Sequence, residues 1–564
     1  MISAELRAEV EEWIALDPDP KTAALVQRWL DSGNEAELKA AFSGFLQFGT
    51  AGLRGPIGPG PSRMNRAVVS RAAAGIAAYM KERGLTTVVI GRDARHGSED
   101  FTFESAAIFN GAGMKVFVLP RPLPTPVLAY AVRDLKVDCG IMVTASHNPP
   151  QDNGYKVYLG GVVDGINYNA SQIVSPTDEQ ISAHIAQQNH LLARGSEWSI
   201  LNDDVLDRYV ARTATIAPTI YDVRAVYTAM HGVGTETVEK VFAQAGFAAP
   251  ILVRAQTAPD PDFPTVAFPN PEEPGAIDLS LEVARASVGD VVIANDPDAD
   301  RCAAAMNDGG TWRMLTGDEL GGLFGEYLAA SAPENYRERC FANSIVSSSL
   351  LSKIAKRHGI EFHETLTGFK WLAKLENLGF GYEEAIGYSV DPQTVNDKDG
   401  VSAAIMLARI AGELKSQGSS ISQYLKEIND RYGFHKTVQI SIRVKELPSI
   451  GRVLNSIRQS EPSDIAGLKV LRFDDLLLPN GALPPTDGLR FYLEKDVRVI
   501  IRPSGTEPKV KCYIEVVCTS DSVADHQLAD QLVAQLTPVL TGFFELLLIR
   551  PRVRLKLFYR PYPA

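Results

Sequence analysis

Apolar positions along this chain follow two alternating rhythms. Stretches with apolar residues every three or four positions (65–83, 99–112, 126–135) are separated by short, nearly unbroken apolar runs (87–91, 115–119, 138–143). The first rhythm predicts helices with one buried face and the second predicts buried strands. Their alternation implies a mainly parallel sheet covered by helices. The pattern returns in a unit over 218–313, with strands at 224–230 and 290–294. It returns again over 314–436, with helices at 317–329 and 348–358 and strands at 340–345 and 361–366. A last unit, 437–540, alternates strands with helices at 449–459 and 521–538. Before all of these, Leu6, Val10, Trp13 and Ile14 stand at helical spacing within 1–43, broken at Asp17-Pro18-Asp19-Pro20. The chain therefore reads as an α/β protein divided at 1–217, 218–313, 314–436 and 437–540, with a tail over 541–564. Arg550, Arg552, Arg554, Lys556 and Arg560 lie among apolar residues in that tail, but Pro551, Pro561 and Pro563 interrupt any helix. A loosely packed end is expected there rather than a membrane-surface helix.

A length of 564 residues exceeds one core and predicts three to five domains. Hydrophobic residues make up 45% and charged residues 22%, a soluble globular balance. With 56 Lys+Arg against 68 Asp+Glu the net charge is −12, which argues against a nucleic-acid surface but leaves room for a local basic pocket. Cys139, Cys302, Cys340, Cys512 and Cys518 are scattered with no C-x-x-C pair, as expected of a reducing cytoplasm. The acidic, helical start does not read as a secretion signal, and no run has the length of a membrane span. The expectation is a cytoplasmic protein with no membrane and no nucleic-acid partner.

Candidate chemistry gathers at the ends of predicted strands, where open α/β sheets bind ligands. The strand at 138–143 runs into Thr144-Ala145-Ser146-His147-Asn148-Pro149-Pro150, which continues neither strand nor helix and leaves the Ser146 hydroxyl on a rigid loop. A following hairpin strand, 153–158, presents Lys156 near the same loop. Upstream, Phe48-Gly49-Thr50-Ala51-Gly52-Leu53-Arg54-Gly55-Pro56 sets one arginine among turn-forming residues, a place for an anion. His231-Gly232-Val233-Gly234-Thr235 falls short of a dinucleotide fingerprint because Thr237 occupies the last glycine position.

The strand at 290–294 leads into Asn295-Asp296-Pro297-Asp298-Ala299-Asp300-Arg301. Three carboxylates on alternate residues suit a hard divalent cation, with Mg²⁺ the usual intracellular choice. A calcium EF-hand is excluded, because Arg301 and Asn307 stand where it needs glycine and glutamate. Arg502-Pro503-Ser504-Gly505-Thr506 offers a guanidinium, two hydroxyls and exposed backbone N–H groups, the inventory of a phosphate clamp. Glu383 and Glu384 could hold sugar hydroxyls, and Lys398 sits between Asp397 and Asp399. Together these loops point to phosphoryl chemistry on a polyhydroxylated substrate.

Taken in order, 144–149, 296–301, 383–387 and 502–508 resemble the four signature loops of the α-D-phosphohexomutase superfamily, the phosphoglucomutases and phosphomannomutases, over about residues 40–540. The resemblance implies a heart-shaped four-domain fold, three related α/β domains and a smaller C-terminal α+β domain closing the cleft. It implies Ser146 as phosphoserine and Mg²⁺ held by Asp296, Asp298, Asp300 and the serine's phosphate. Arg54, His147, Lys156, Arg301 and Lys398 match positions near the transferred group, with Lys156 and Lys398 as acid and base. Glu383, Glu384, Thr367 and Gly368 match the sugar-binding loops, and Arg502, Ser504, Gly505 and Thr506 the clamp for the other phosphate. The implied reaction converts glucose 1-phosphate to glucose 6-phosphate through glucose 1,6-bisphosphate, with mannose or pentose phosphates as further substrates. Many hexose mutases of this family carry serine where Ala385 stands here. In that respect the chain resembles the branch of phosphopentomutases and glucose-1,6-bisphosphate synthases, the two alternative activities. A non-catalytic sugar-phosphate binder is the third, and it has least behind it because every matched charged residue is present.

Overall fold

The computed structural model describes residues 2–49, 52–188, 192–331, 333–336, 338–443, 447–478, 483–503 and 509–549. Internal contacts divide the chain into two units, Met1–Gly317 with Phe369–Ser420, and Asp318–Gly368 with Ile421–Ala564.

The first unit begins with helices α1 (Ala4–Leu16), α2 (Pro20–Asp31) and α3 (Glu35–Ala41). The break between α1 and α2 is a cap: the Asp19 carboxylate accepts from the Lys21 N–H at 2.9 Å, and Pro20 takes the first helical position. Val10 and Trp13 bury against Val26, Leu30, Leu38 and Phe42, and the Trp13 ring meets Phe42 edge-on at 5.9 Å.

Next come β1 (Leu53–Pro56), α4 (Arg66–Glu82), β2 (Thr87–Arg92), α5 (Ser98–Gly111), β3 (Lys115–Val118), α6 (Thr125–Asp134), β4 (Cys139–Val143) and β5 (Asp152–Leu159). Strands β4, β2 and β3 pair in parallel, as the alternating rhythm predicts, while β5 returns antiparallel on β4 and carries β1 on its far edge. All five residues of β4 are buried, which explains its unbroken apolar run. A second sheet follows the same logic. Ile251–Leu252, Ala225–Thr228 and Val291–Asn295 are parallel, and Cys302–Asp308 and Thr311–Met314 fold back antiparallel. The antiparallel pair Leu378–Glu383 and Gly387–Ser389 completes this unit with the long helix Gly400–Ser416. The loops at 144–150 and 296–301 thus leave the carboxyl ends of buried strands.

The second unit contains the parallel pair Cys340–Ser344 and Glu361–Thr365 and an antiparallel sheet that runs Phe434–Arg443, Lys509–Cys518, Val497–Pro503, Leu489–Leu493, Leu468–Asp475. The final helix, Val523–Ile549, extends past residue 540 into the stretch assigned above to a loose tail, and it contains Pro538. Leu532, Leu536 and Leu540 are buried in the core of the antiparallel sheet, so packing outweighs the roughly 3 kcal/mol that an interior proline costs a helix. Residues 550–564 lie outside the described residues. All five cysteines are buried. Among the described residues, no helix is long and apolar enough to cross a membrane.

Candidate active site

Ser146 follows β4 by three residues and adopts φ 52°, the left-handed region that non-glycine residues rarely enter. Its N–H donates to Thr144 Oγ1 at 2.9 Å. That turn aims the hydroxyl at the acidic loop 150 residues away in sequence, where it donates to Asp296 Oδ2 at 2.7 Å. Ser146 Oγ also stands 3.2 Å from His147 Nδ1.

The acidic loop is equally constrained. Ala299 has φ 53°, and the Arg301 N–H donates to Asp296 Oδ1 at 3.0 Å. A Cβ on Gly232 would lie 2.3 Å from the Pro297 backbone, so the glycine is what lets the two loops touch. Asp296, Asp298 and Asp300 are fully buried, and one oxygen from each lies within 4.8 Å of the others. Lys156 Nζ, on β5, stands 2.7 Å from both Asp298 Oδ2 and Asp300 Oδ2, and Lys398 Nζ reaches Asp300 Oδ2 at 3.1 Å.

Such crowding divides the three acids. Burial, then Asp298 and Asp300, push Asp296 well above the usual carboxylate range. Burial acts the same way on Asp298 and Asp300. For these two it is outweighed by Lys156, and for Asp300 also by Lys398 and Arg301, so both remain below the usual range. Loss of water, then Arg301 and Arg54, hold the His147 imidazole well below its ordinary value, and the ring is neutral.

Asp298 Oδ1 and Asp300 Oδ1 are buried without a hydrogen-bond partner, as are the donors Arg54 Nε and Arg301 Nε. Unpaired buried carboxylate oxygens on a close cluster of three acids fit a divalent cation, and unpaired buried guanidinium donors fit an anion. The donor set is all oxygen, as a Mg²⁺ site requires.

Arg54 is held through Asn148 Oδ1 at 3.4 Å, and Glu383 lies close enough to Arg301 to help hold its charge. Ser146, His147, Lys156, Arg54, Arg301, Lys398, Glu383, Glu384 and the three aspartates all belong to the first unit. Thr367, Gly368 and Arg502 belong to the second unit, where Arg502 is the last residue but one of the strand Val497–Pro503. Ser504, Gly505 and Thr506 lie outside the described residues.

Sequence reasoning missed Thr125, whose hydroxyl donates to Asp298 Oδ2 at 2.6 Å and whose N–H donates to the Asp298 carbonyl at 2.9 Å. It also missed Tyr158 and Gln172, which donate to Asp397 at 2.8 and 2.7 Å and so brace the residue next to Lys398. The Lys370 amine is lowered to about 8 by burial, which outweighs Asp178 and Glu383.

Gly387 makes room for the Lys398 side chain, since a Cβ there would stand 2.4 Å from Lys398 Cδ. Gly387→Ala is expected to displace the ammonium from Asp300. Turnover should fall about 10- to 100-fold, the scale of a misplaced reacting group, with an almost unchanged thermal midpoint. Parallel kinetics and melting curves on the two proteins check it.

Four consecutive models of phosphoglucomutase/phosphomannomutase match the chain: α/β/α domain I over residues 46–190, domain II over 207–310, domain III over 316–432 and the C-terminal domain over 425–535. The chain belongs to the phosphoglucomutase/phosphomannomutase family. Among its relatives, a protein of Haemophilus influenzae named a probable phosphomannomutase is 46% identical over 474 residues, 83% of this chain and 96% of that one. A human phosphopentomutase is 35% identical and covers 96% of each chain. The crystal structure of a phosphomannomutase-like protein from Thermus thermophilus shares the fold, with a TM-score of 0.69 at 23% identity over 89% of this chain and 99% of that one. As a phosphoglucomutase/phosphomannomutase family member the protein is an intramolecular phosphotransferase, an isomerase of phosphosugars with the four-domain α/β architecture of that family.

Proposed function

We propose that this protein is a Mg²⁺-dependent mutase that moves a phosphoryl group between O1 and O6 of a hexose phosphate, glucose 1-phosphate first, and that also accepts mannose or pentose phosphates. The observation that carries this reading is the 2.7 Å contact of Ser146 Oγ with Asp296, in an acidic loop whose Asp298 and Asp300 hold Lys156 and Lys398 and whose charges act on Arg54 and Arg301. Ser146 carries the phosphoryl group as a phosphate ester and gives it to one sugar hydroxyl, forming glucose 1,6-bisphosphate. The second phosphate of that bisphosphate then returns to Ser146, so the enzyme ends as it began.

Phosphoryl transfer rests on alignment and on neutralising the transferred oxygens. Arg54 and Arg301 supply unpaired buried donors for those oxygens. Lys156 and Lys398 exchange the proton of the attacking or leaving sugar hydroxyl. Asp296, Asp298 and Asp300, with the phosphate on Ser146, would hold the Mg²⁺, which when bound would withdraw charge from the phosphoryl oxygens. Neutral His147 accepts or donates a hydrogen bond beside Ser146 Oγ without adding charge. Glu383 and Glu384, with Thr367 and Gly368, hold sugar hydroxyls, and Arg502, Ser504, Gly505 and Thr506 hold the phosphate that stays in place.

A substrate panel tests this. Glucose 1-phosphate, mannose 1-phosphate and ribose 1-phosphate are each supplied with Mg²⁺ and a trace of the matching bisphosphate. Isomerisation of glucose 1-phosphate is expected, with slower turnover of the others. Preference for ribose 1-phosphate would move the protein to the phosphopentomutases. Net bisphosphate formation that needs an external donor such as 1,3-bisphosphoglycerate would move it to the bisphosphate synthases. No turnover of any of the three, with no donor-dependent bisphosphate, would remove the mutase reading.

A further inference from the structure

The loop that carries Ser146 is short of its own hydrogen-bond donors. Pro149 and Pro150 bring carbonyls but no N–H groups, and Ser146 lies in the left-handed region, outside the regular ladder of the sheet. One side chain answers this. Arg95, in the loop between β2 and α5, is buried with 1% of its side chain exposed. Its Nη2 donates to the carbonyls of Ser146 at 2.7 Å and Asn148 at 2.5 Å, and its Nη1 donates to those of Pro149 at 2.8 Å and Asp152 at 3.2 Å.

The guanidinium is itself fixed from two further directions. Asp93 Oδ2 lies 3.4 Å from Nε, while Asp93 Oδ1 accepts from the Arg95 N–H at 3.0 Å and from Ser98 Oγ at 2.6 Å. On its open face the Phe263 ring, from a loop of the second sheet's layer, stacks 4.9 Å from the guanidinium carbon. Every hydrogen bond that the Arg95 guanidinium donates goes to a main-chain carbonyl, at Ser146, Asn148, Pro149 and Asp152, and none goes to the Ser146 hydroxyl or to the three aspartates of the acidic loop.

We propose that Arg95 is the positioning residue of the nucleophile. By gathering four carbonyls onto one planar fork it holds Ser146 at φ 52°, and this backbone angle directs the hydroxyl at Asp296. Lysine cannot replace it, because a single ammonium presents no planar fork with two separate nitrogens. The inference rests on the reading of Ser146 as the phosphoryl carrier.

The test uses the full-length protein with Mg²⁺ and glucose 1,6-bisphosphate labelled in its phosphates, and follows the rate at which Ser146 takes up label. Arg95→Lys is expected to slow that step about 100-fold, with the bisphosphate concentration at half-saturation changed less than about threefold. Arg95→Ala should be slower still and should regain rate saturably with added guanidinium but not with methylammonium. A role in stability alone would leave the labelling rate of the folded fraction unchanged and would show no such rescue. A wild-type labelling rate in Arg95→Lys overturns the proposal, as does a loss expressed only in half-saturation. Should neither Arg95 variant fold, Phe263→Leu decides, because it keeps the hydrogen bonds and removes the stacked face. Slowing by severalfold supports the proposal, and an unchanged rate overturns it. If the wild-type protein takes no label, the reading of Ser146 fails. If it labels normally and Arg95→Lys labels equally, only the role of Arg95 fails.

Discussion

Ser146→Ala will leave a folded protein that no longer isomerises glucose 1-phosphate, with turnover reduced on the order of 10⁴-fold or more, the usual scale for loss of a covalent nucleophile. The substitution is small: Ser146 is 3% exposed, and its side chain makes one hydrogen bond to Asp296 and one contact with His147. Alanine removes both without adding volume. Losing the partner of Asp296 is no great cost, because that carboxyl is already pushed toward its neutral form by burial and by Asp298 and Asp300. The thermal midpoint should therefore move by only a few degrees, as expected for about 1 kcal/mol in a chain of this size. Kinetics beside a melting curve, with label transfer from glucose 1,6-bisphosphate, separate the outcomes. A variant that keeps more than about a tenth of wild-type turnover would show that the phosphoryl group travels by another route.

Asp298→Asn carries the second large effect. Asp298 has one unpaired buried oxygen, which the proposed Mg²⁺ site would use, while its other oxygen holds Lys156 and Thr125. An amide keeps the shape and part of the hydrogen bonding but lacks the charge. In the wild-type protein, Mg²⁺ at about 100 times its dissociation constant should raise stability by about 2.7 kcal/mol. In Asp298→Asn that gain should largely vanish, and turnover at saturating Mg²⁺ should fall about 10²- to 10³-fold, the scale of removing one fixed charge from a phosphoryl-transfer site. Thermal melts across a Mg²⁺ series measure the first effect and steady-state rates the second. Treating the wild-type enzyme with a chelator should abolish activity, and added Mg²⁺ should restore it. An equal Mg²⁺-dependent rise in both proteins would place the cation elsewhere.

Much of this site was legible in the sequence because its residues sit where local chemistry is unambiguous. A buried strand that ends in Ser-His-Asn-Pro-Pro must turn, and three aspartates at alternate positions must find positive charge. The pairing of those aspartates with Lys156 and Lys398 meets that demand. Lys398 had only a weak local signal, because a lysine between two aspartates at a helix start reads as a solvated residue; in the structure Asp397 accepts from Tyr158 and Gln172 and also lies 3.8 Å from Lys398 Nζ, while Asp399 caps the helix Gly400–Ser416. Thr125 and Arg95 could not be singled out. Thr125 sits at the start of an ordinary helix, and its value lies in an acid 173 residues further on. Arg95 reads as one more loop arginine until the carbonyls around it are known. The final helix runs to Ile549 rather than ending at 538, because Leu536 and Leu540 are buried against the sheet and packing carries the helix through Pro538.

The backbone twist at Ser146 has an implication for which alcohol the chain can offer there. Threonine carries the same oxygen, but its branched β-carbon is strongly disfavoured at φ 52°. A mirror-handed kink thus acts as a sieve on side-chain shape: it admits an unbranched hydroxyl and refuses its nearest chemical equivalent, so the identity of the residue follows from the curvature of the main chain as much as from the reactivity of its oxygen.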